Sequence, residues 1–229
     1  LYRPDNSILD NLKDKEIFPM INHKDVSTVY PPAAQVFFFL FVKIFGTSIL
    51  WLKIIFFLFE ILNIFLLYHL LKKLNMMKDI KWYLLSPLII IEFFSGIHLE
   101  IIVITTLLAS FVLLQMKNYL SAGIFMAVSI LIKPVAILIL PLLFFHYSLK
   151  NILIFSIGLL ATALLFHLPY LSHPDLIYRQ FFRYLKWWNY NSPGDLILFN
   201  LTGDKDTVRL ILRIVFITLY GFIIFFHRK

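Results

Sequence analysis

Apolar and polar positions in this chain are grouped on the scale of a bilayer, not of a helix face. Apolar runs fill 49–71, 99–116, 150–171 and 207–227. Each is close to the ~20 residues that a helix needs to cross a hydrocarbon core. At 1.5 Å per residue the first would rise roughly 34 Å. Shorter runs at 82–95, 119–132 and 135–147 predict thinner, tilted or broken helices, of the kind that border a cavity rather than bulk lipid. The stretch 33–47 is apolar but holds Lys43 and Gly46. The pattern therefore predicts an all-α, polytopic transmembrane helical bundle in one domain spanning 1–229. Its parts are a partial outer loop (1–32), transmembrane helices (33–171), an outer loop (172–206) and a last transmembrane helix (207–229).

Composition agrees with this class. Of the residues 60% are hydrophobic, and 25 of the 229 are Phe. A soluble domain of this length could not hide so much apolar surface. The net charge of +8 implies no nucleic acid, because the positive residues sit mostly at the ends of apolar runs, where they face anionic lipid. The absence of cysteine excludes disulfides, cysteine zinc sites and thiol catalysis. The loop 72–81 holds Lys72, Lys73, Lys78 and Lys81 against Asp79, which makes it cytoplasmic by the positive-inside rule. Alternation then puts 94–100, the 133–134 junction, 172–206 and the acidic head 1–32 on the outer side. That parity requires 33–47 to be a juxtamembrane or re-entrant helix that does not cross by itself.

The unusual polar residues thus gather on one face. Lys133-Pro134 interrupts two apolar runs. A lysine near membrane depth needs a partner or water, and Pro134 frees backbone groups of the preceding turn. This ammonium suits a lipid phosphate; a lysine snorkelling to the interface is the competing reading. His98 and Glu100 lie two apart in a glycine-containing turn, where extended backbone would point both the same way. They suit an acceptor sugar, a shared proton or a metal held with other ligands, two alone not making a metal site, against the plainer reading of a polar turn at headgroup level. Arg179 and Arg183, four apart, would share a helix face and fork onto phosphate. Trp187, Trp188 and Tyr190 suit sugar stacking or an interfacial belt. Asp5, Asp10, Asp14 and Asp25 are carboxylates of the head that nothing in the sequence ranks as a base. Ser7 and Asp10 suit the N-cap of a short helix leading into 11–18. Glu60 and Glu92 are intramembrane carboxylates without an evident partner, and Asn63 suits helix packing.

Taken in order, "INHKDVSTVYPPAAQVFF", "SPLIIIEFFSGIHLE", "YLSAGIFMAVSILIKPVAILILPLLFF" and "YLKWWNYNS" resemble the GT-C superfamily of glycosyltransferases, in its mannosyltransferase-type branch. These are multipass enzymes that use polyprenyl-phosphate sugars. The resemblance implies transfer of a hexose, mannose first, from a polyprenyl-phosphate donor to a hydroxyl of a glycan or lipid acceptor. The reaction would occur at the outer face of a bacterial inner (plasma) membrane. It implies Lys133, Arg179 and Arg183 at the donor phosphate, and Tyr30, His98, Glu100, Trp187 and Asn191 around the sugars. It implies no obligatory cofactor or metal beyond the lipid-linked donor. In that family an essential acidic residue lies in the first outer loop, and Leu1-Tyr2-Arg3-Pro4 matches the segment just after it. The principal catalytic carboxylate is therefore expected upstream of Leu1. Two other classes stand beside this one: a multipass transporter or lipid flippase, and a non-catalytic membrane subunit.

Overall fold

The computed structural model describes residues 3–172, 174–187 and 193–227. Among these residues all regular structure is helical. The head forms two short 3-10 turns, Ser7–Leu12 and Phe18–Met20. Asn6 caps the first of them, its side chain accepting from the Ile8 N–H at 2.9 Å, so the cap is neither Ser7 nor Asp10.

Helix α1 (Pro32–Phe45) starts at the double proline, with Pro31 extended at its N-cap and Pro32 in its first turn, where a missing N–H leaves no bond unmade. Gly46, at φ +65°, ends it. At ~21 Å it is shorter than a ~30 Å hydrocarbon core. It folds back onto α2 (Ile49–Lys73) through ring contacts of Phe37 with Phe56 and Phe59, and of Phe45 with Trp51. The run 82–95 is broken into α3 (Ile80–Leu84), α4 (Pro87–Ile89) and a π-helix, Ile90–Ser95. Helices α5 (Glu100–Gln115) and α6 (Tyr119–Ile132) follow. The chain then passes through a 3-10 segment, Pro134–Ile139, into the short α7 (Leu140–Leu143) and on to α8 (Leu149–His167).

Within 172–206 the described residues build α9 (Pro174–Trp187) and α10 (Pro193–Thr202). In α9 the polar and apolar residues alternate with helical period, so the average polarity concealed an amphipathic helix. Helix α11 (Lys205–His227) closes the chain. Among the described residues three segments are long and apolar enough to cross a membrane: α2, α8 with its 3-10 extension to Tyr170, and most of α11.

The centre of the bundle is α5, α6 and α8. Across α5 and α6, the Ser110 hydroxyl donates to the Ala122 carbonyl at 2.8 Å and the Ser129 hydroxyl to the Val103 carbonyl at 3.0 Å. The α6–α8 seam is closer still. A Cβ on Gly123 would stand 2.0 Å from the Phe155 carbonyl oxygen, and one on Gly158 would stand 2.2 Å from that of Leu120. Only glycine lets two backbones approach this far, which is how helices gain packing where no hydrophobic effect drives them together.

Helix α2 runs beside α5 in the same direction. The Asn63 amide donates to the Ile101 carbonyl at 3.4 Å near one end, and Lys73 Nζ to the Gln115 carbonyl at 2.8 Å at the other. Lys72, Lys73 and Lys117 therefore share one end of the bundle, and Glu100 and Lys133 share the opposite one. Glu60 acquires one partner from far along the chain and one from its own helix: its Oε2 accepts from the Tyr83 hydroxyl at 2.9 Å and from the Asn63 amide at 3.3 Å.

Candidate functional site

Lys133 owes its position to the residue after it. Proline disfavours helical backbone in its predecessor, so α6 stops at Ile132 and Lys133 is extended, at φ −143° and ψ 115°. Its side chain reaches the first residue of α5. Lys133 Nζ forms an ion pair with Glu100 Oε1, and both side chains keep part of their surface open, at 50% and 37%. Glu100 sits in the first turn of its helix, where the macrodipole favours a carboxylate.

The turn before α5 is unusually wound. The Gly96 N–H donates to Ile91 O at 2.9 Å, closing a π-type turn, and the His98 N–H reaches back to Glu92 O at 3.2 Å. Between them Ile97 takes a φ of +53°, a region that β-branched residues rarely enter. The result is that His98 Nε2 lies 3.4 Å from Glu92 Oε2. His98 and Glu100 thus engage different carboxylate and ammonium partners, although both line the same cleft.

Two further elements close it. Tyr30 is placed by Gln35, whose amide donates to the Tyr30 carbonyl at 2.8 Å and whose Oε1 accepts from the Tyr170 hydroxyl at 3.4 Å. Helix α9 is pinned to α8 by His167, which contacts the Tyr178 hydroxyl through Nε2 at 2.8 Å and the Ala163 carbonyl through Nδ1 at 2.6 Å. Phe181 and Tyr184 follow Tyr178 on the same face of α9 and complete the wall. Burial raises the Tyr178 phenol above its usual range, and burial with the neighbouring Tyr30 raises that of Tyr184, against a smaller opposing pull from Lys133. Both therefore remain neutral hydroxyls.

The cleft so formed has a volume of about 510 Å³ and is lined by Tyr30, His98, Glu100, Lys133, Phe181 and Tyr184 among others. Glu100 also borders a more apolar cavity of about 720 Å³, with Trp82, Tyr83, Glu92 and Phe93 in its wall. A smaller apolar cavity of about 140 Å³, beside Tyr119 and Tyr147, has no comparable gathering of charge.

Four of the residues singled out in the sequence, Tyr30, His98, Glu100 and Lys133, meet in this cleft. Arg179 and Arg183 do not line it. They are exposed on α9, roughly half a turn round the helix from Phe181. Trp187 ends α9, with its side chain outside the described residues, and Trp188, Asn189, Tyr190 and Asn191 also lie outside them. The sequence reading missed Glu92 as the partner of His98, because the π-turn brings them together. It also missed Phe181 and Tyr184 as walls, although the spacing of Ile177, Phe181 and Tyr184 carries the signal of a helix face. Among the described residues no three carboxylate or imidazole groups gather as metal ligands would.

An ammonium, a carboxylate, an imidazole and aromatic walls in one water-accessible cleft suit an anionic sugar ester and a hydroxyl partner. The model of a family described as alpha-(1->6)-mannopyranosyltransferase, N-terminal domain (MptA_B family), matches residues 22–148. That match covers more than half of the chain and takes in Tyr30, His98, Glu100 and Lys133, but not α9. No curated protein and no solved structure matches the chain.

Proposed function

Because this chain belongs to the alpha-(1->6)-mannopyranosyltransferase (MptA_B) family, a family of GT-C type membrane mannosyltransferases, we propose that it moves mannose from a polyprenyl-phosphate donor to a hydroxyl of a glycan or lipid acceptor, in a bacterial plasma membrane with the cleft on the outer side. One observation carries this reading. Lys133, Glu100, His98 and Tyr30 converge in a single cleft at the end of α5 and α6 opposite the cluster of Lys72, Lys73 and Lys117.

The chemistry follows from the groups present. The acceptor oxygen attacks the anomeric carbon, the bond from that carbon to the phosphate oxygen breaks, and the lipid phosphate leaves with the electron pair. Its growing charge needs a fixed cation, and Lys133 is placed for this. The phosphate would take Lys133 in place of Glu100, leaving that carboxylate for the sugar hydroxyls. Tyr30, Phe181 and Tyr184 would face the sugar rings. The apolar cavity that Glu100 shares with Trp82 and Phe93 adds a neighbouring space for the lipid end of the donor. A donor with one phosphate lessens the need for a metal of the kind that holds nucleotide diphosphates, so the reaction would proceed in excess chelator.

The test uses the full-length protein in lipid nanodiscs, radiolabelled polyprenyl-phosphate mannose and methyl α-mannopyranoside as the acceptor probe. Lys133→Ala is expected to lower kcat by about 100-fold or more while the protein stays folded. Wild-type activity in that variant would remove Lys133 from the phosphate. Labelled lipid crossing the bilayer with no disaccharide formed would favour a transporter instead.

A further inference from the structure

The arginines that the sequence suits to phosphate stand outside the cleft, and the transfer just described makes no use of the face they share. Helix α9 has two sides. The inner side is taken up by the protein: Ile177 is buried, the Tyr178 hydroxyl meets His167, and Phe181 and Tyr184 line the cleft. The outer side carries Arg179, Arg183 and Lys186, all exposed. Their spacing puts them in one stripe along the helix. On its flank stand Phe182 and Leu185, 65% and 57% exposed. Against these cations the helix holds a single carboxylate, Asp175.

We propose that this outer face docks the headgroups of anionic phospholipids. The place of α9 in the fold fits that partner. The segment Leu149–Tyr170 is long and apolar enough to cross a membrane, and α9 begins at Pro174, a few residues past its end. Tyr178 is tied to His167, the last residue of α8. The helix is therefore held at the level where a crossing segment leaves the hydrocarbon, among the headgroups.

A helix at that level, with cations along one face and Phe and Leu on its flank, is built to lie in the interface. The apolar side chains enter the acyl boundary, and the cations reach the phosphates above it. Charge complementarity selects the lipid. A zwitterionic headgroup sets its own ammonium beside its phosphate, whereas an anionic surface favours each nearby cation by about fivefold in affinity. Arginine presents several N–H donors, so a contact made within the protein still leaves donors for phosphate oxygens. Lipid docked there would also bear on the cleft, because the same helix carries Phe181 and Tyr184 on its other side. This surface rests on the chain being a membrane protein and not on the donor or acceptor of the transfer.

The experiment places the full-length protein in nanodiscs of phosphatidylcholine alone, and in nanodiscs with about one third phosphatidylglycerol. It reads amide hydrogen exchange in the peptide covering 174–187. Exchange there is expected to slow by about fivefold or more in the anionic discs, and the difference is expected to shrink as added salt screens the surface. The triple variant Arg179→Gln, Arg183→Gln, Lys186→Gln keeps the apolar flank and is expected to exchange alike in both discs. The variant Lys72→Gln, Lys73→Gln, at the far end of the bundle, is expected to keep the wild-type difference. The proposal is overturned if wild-type α9 exchanges alike in both discs, a result that needs no variant to fold. It is also overturned if the triple variant keeps the full difference. Inorganic phosphate that slows exchange in the neutral discs as much as the anionic lipid does would make the ligand a free phosphate instead. Exchange that slows in discs holding two copies, and not in discs holding one, would give the face to a second chain. No turnover is measured, so a protein that makes no disaccharide leaves this result standing, and the two readings fail separately.

Discussion

Helices α5 and α6 meet at one end in a closed turn and part at the other around a cleft. At the closed end Lys117 takes a φ of +60°, and its N–H and that of Asn118 satisfy the carbonyls of Leu114 and Leu113. The Asn118 side chain then caps the Ser121 N–H, so this turn looks after its own backbone. At the open end Ile97 takes a similar φ, but in a β-branched residue and after a π-helix. There the ends of the two helices are joined by charge, Glu100 to Lys133, instead of by a turn. The same pair of helices is therefore settled at one end and held in a less favoured arrangement at the other. Departures of this kind persist where surrounding structure enforces them, and they cluster at sites that act on ligands.

This contrast can be broken from either side. The largest effect belongs to the packed seam. Gly123→Leu places a side chain against the Phe155 backbone, which no rotamer change relieves, and the protein is expected to lose its folded state in detergent, read as loss of the monodisperse peak and of a cooperative melt. Next comes Lys133→Ala, for which a ~100-fold fall in mannosyl transfer with a melting temperature within a few degrees of wild type would show the cleft and the seam to be separable. Removing the two stitches between α5 and α6, in the double variant Ser110→Ala, Ser129→Ala, is expected to cost about 1 kcal/mol in a denaturation series and to leave kcat near wild type.

The smallest effect lies in neither region. Asp204 caps α11 through the Thr207 N–H and hydroxyl, and these bonds hold its carboxyl below the ordinary value of 3.8. A group with a lowered folded-state pKa adds stability above its unfolded value and loses it as the pH falls through the folded one. Asp204→Asn should therefore melt slightly earlier than wild type at pH 6, and the difference should shrink as the pH is taken below about 3.8. A gap that widened in acid would reverse the assignment.

How much was readable in the chain differs between the same two regions. The break at Lys133 was legible because proline acts on its immediate neighbour, and that effect needs no tertiary information. The long apolar helices were legible because bilayer thickness sets their length. The pairings were not. Glu60 finds Tyr83 and Glu100 finds Lys133 across 23 and 33 residues, and no local pattern announces such partners. The contact of His98 with Glu92 is local, but it depends on a π-helix, which has no reliable sequence signature. Helix α9 was hidden because hydropathy averages cancel on an amphipathic helix, even though the spacing of its apolar residues was there to be counted. Gly123 and Gly158 were equally visible, yet glycine is common in apolar helices and only the packing singles these two out.

The tie between Glu100 and Lys133 also behaves as a strut. It is the charged link that joins the free ends of α5 and α6 across the mouth of the cleft. An anion that captures Lys133 removes that strut and must itself span the gap. Under the proposed reaction the loaded cleft would be braced by its ligand, and the departing phosphate would hand the brace back to the protein. In mechanical terms, each such turnover would open and reclose an arch whose keystone is for a moment the substrate.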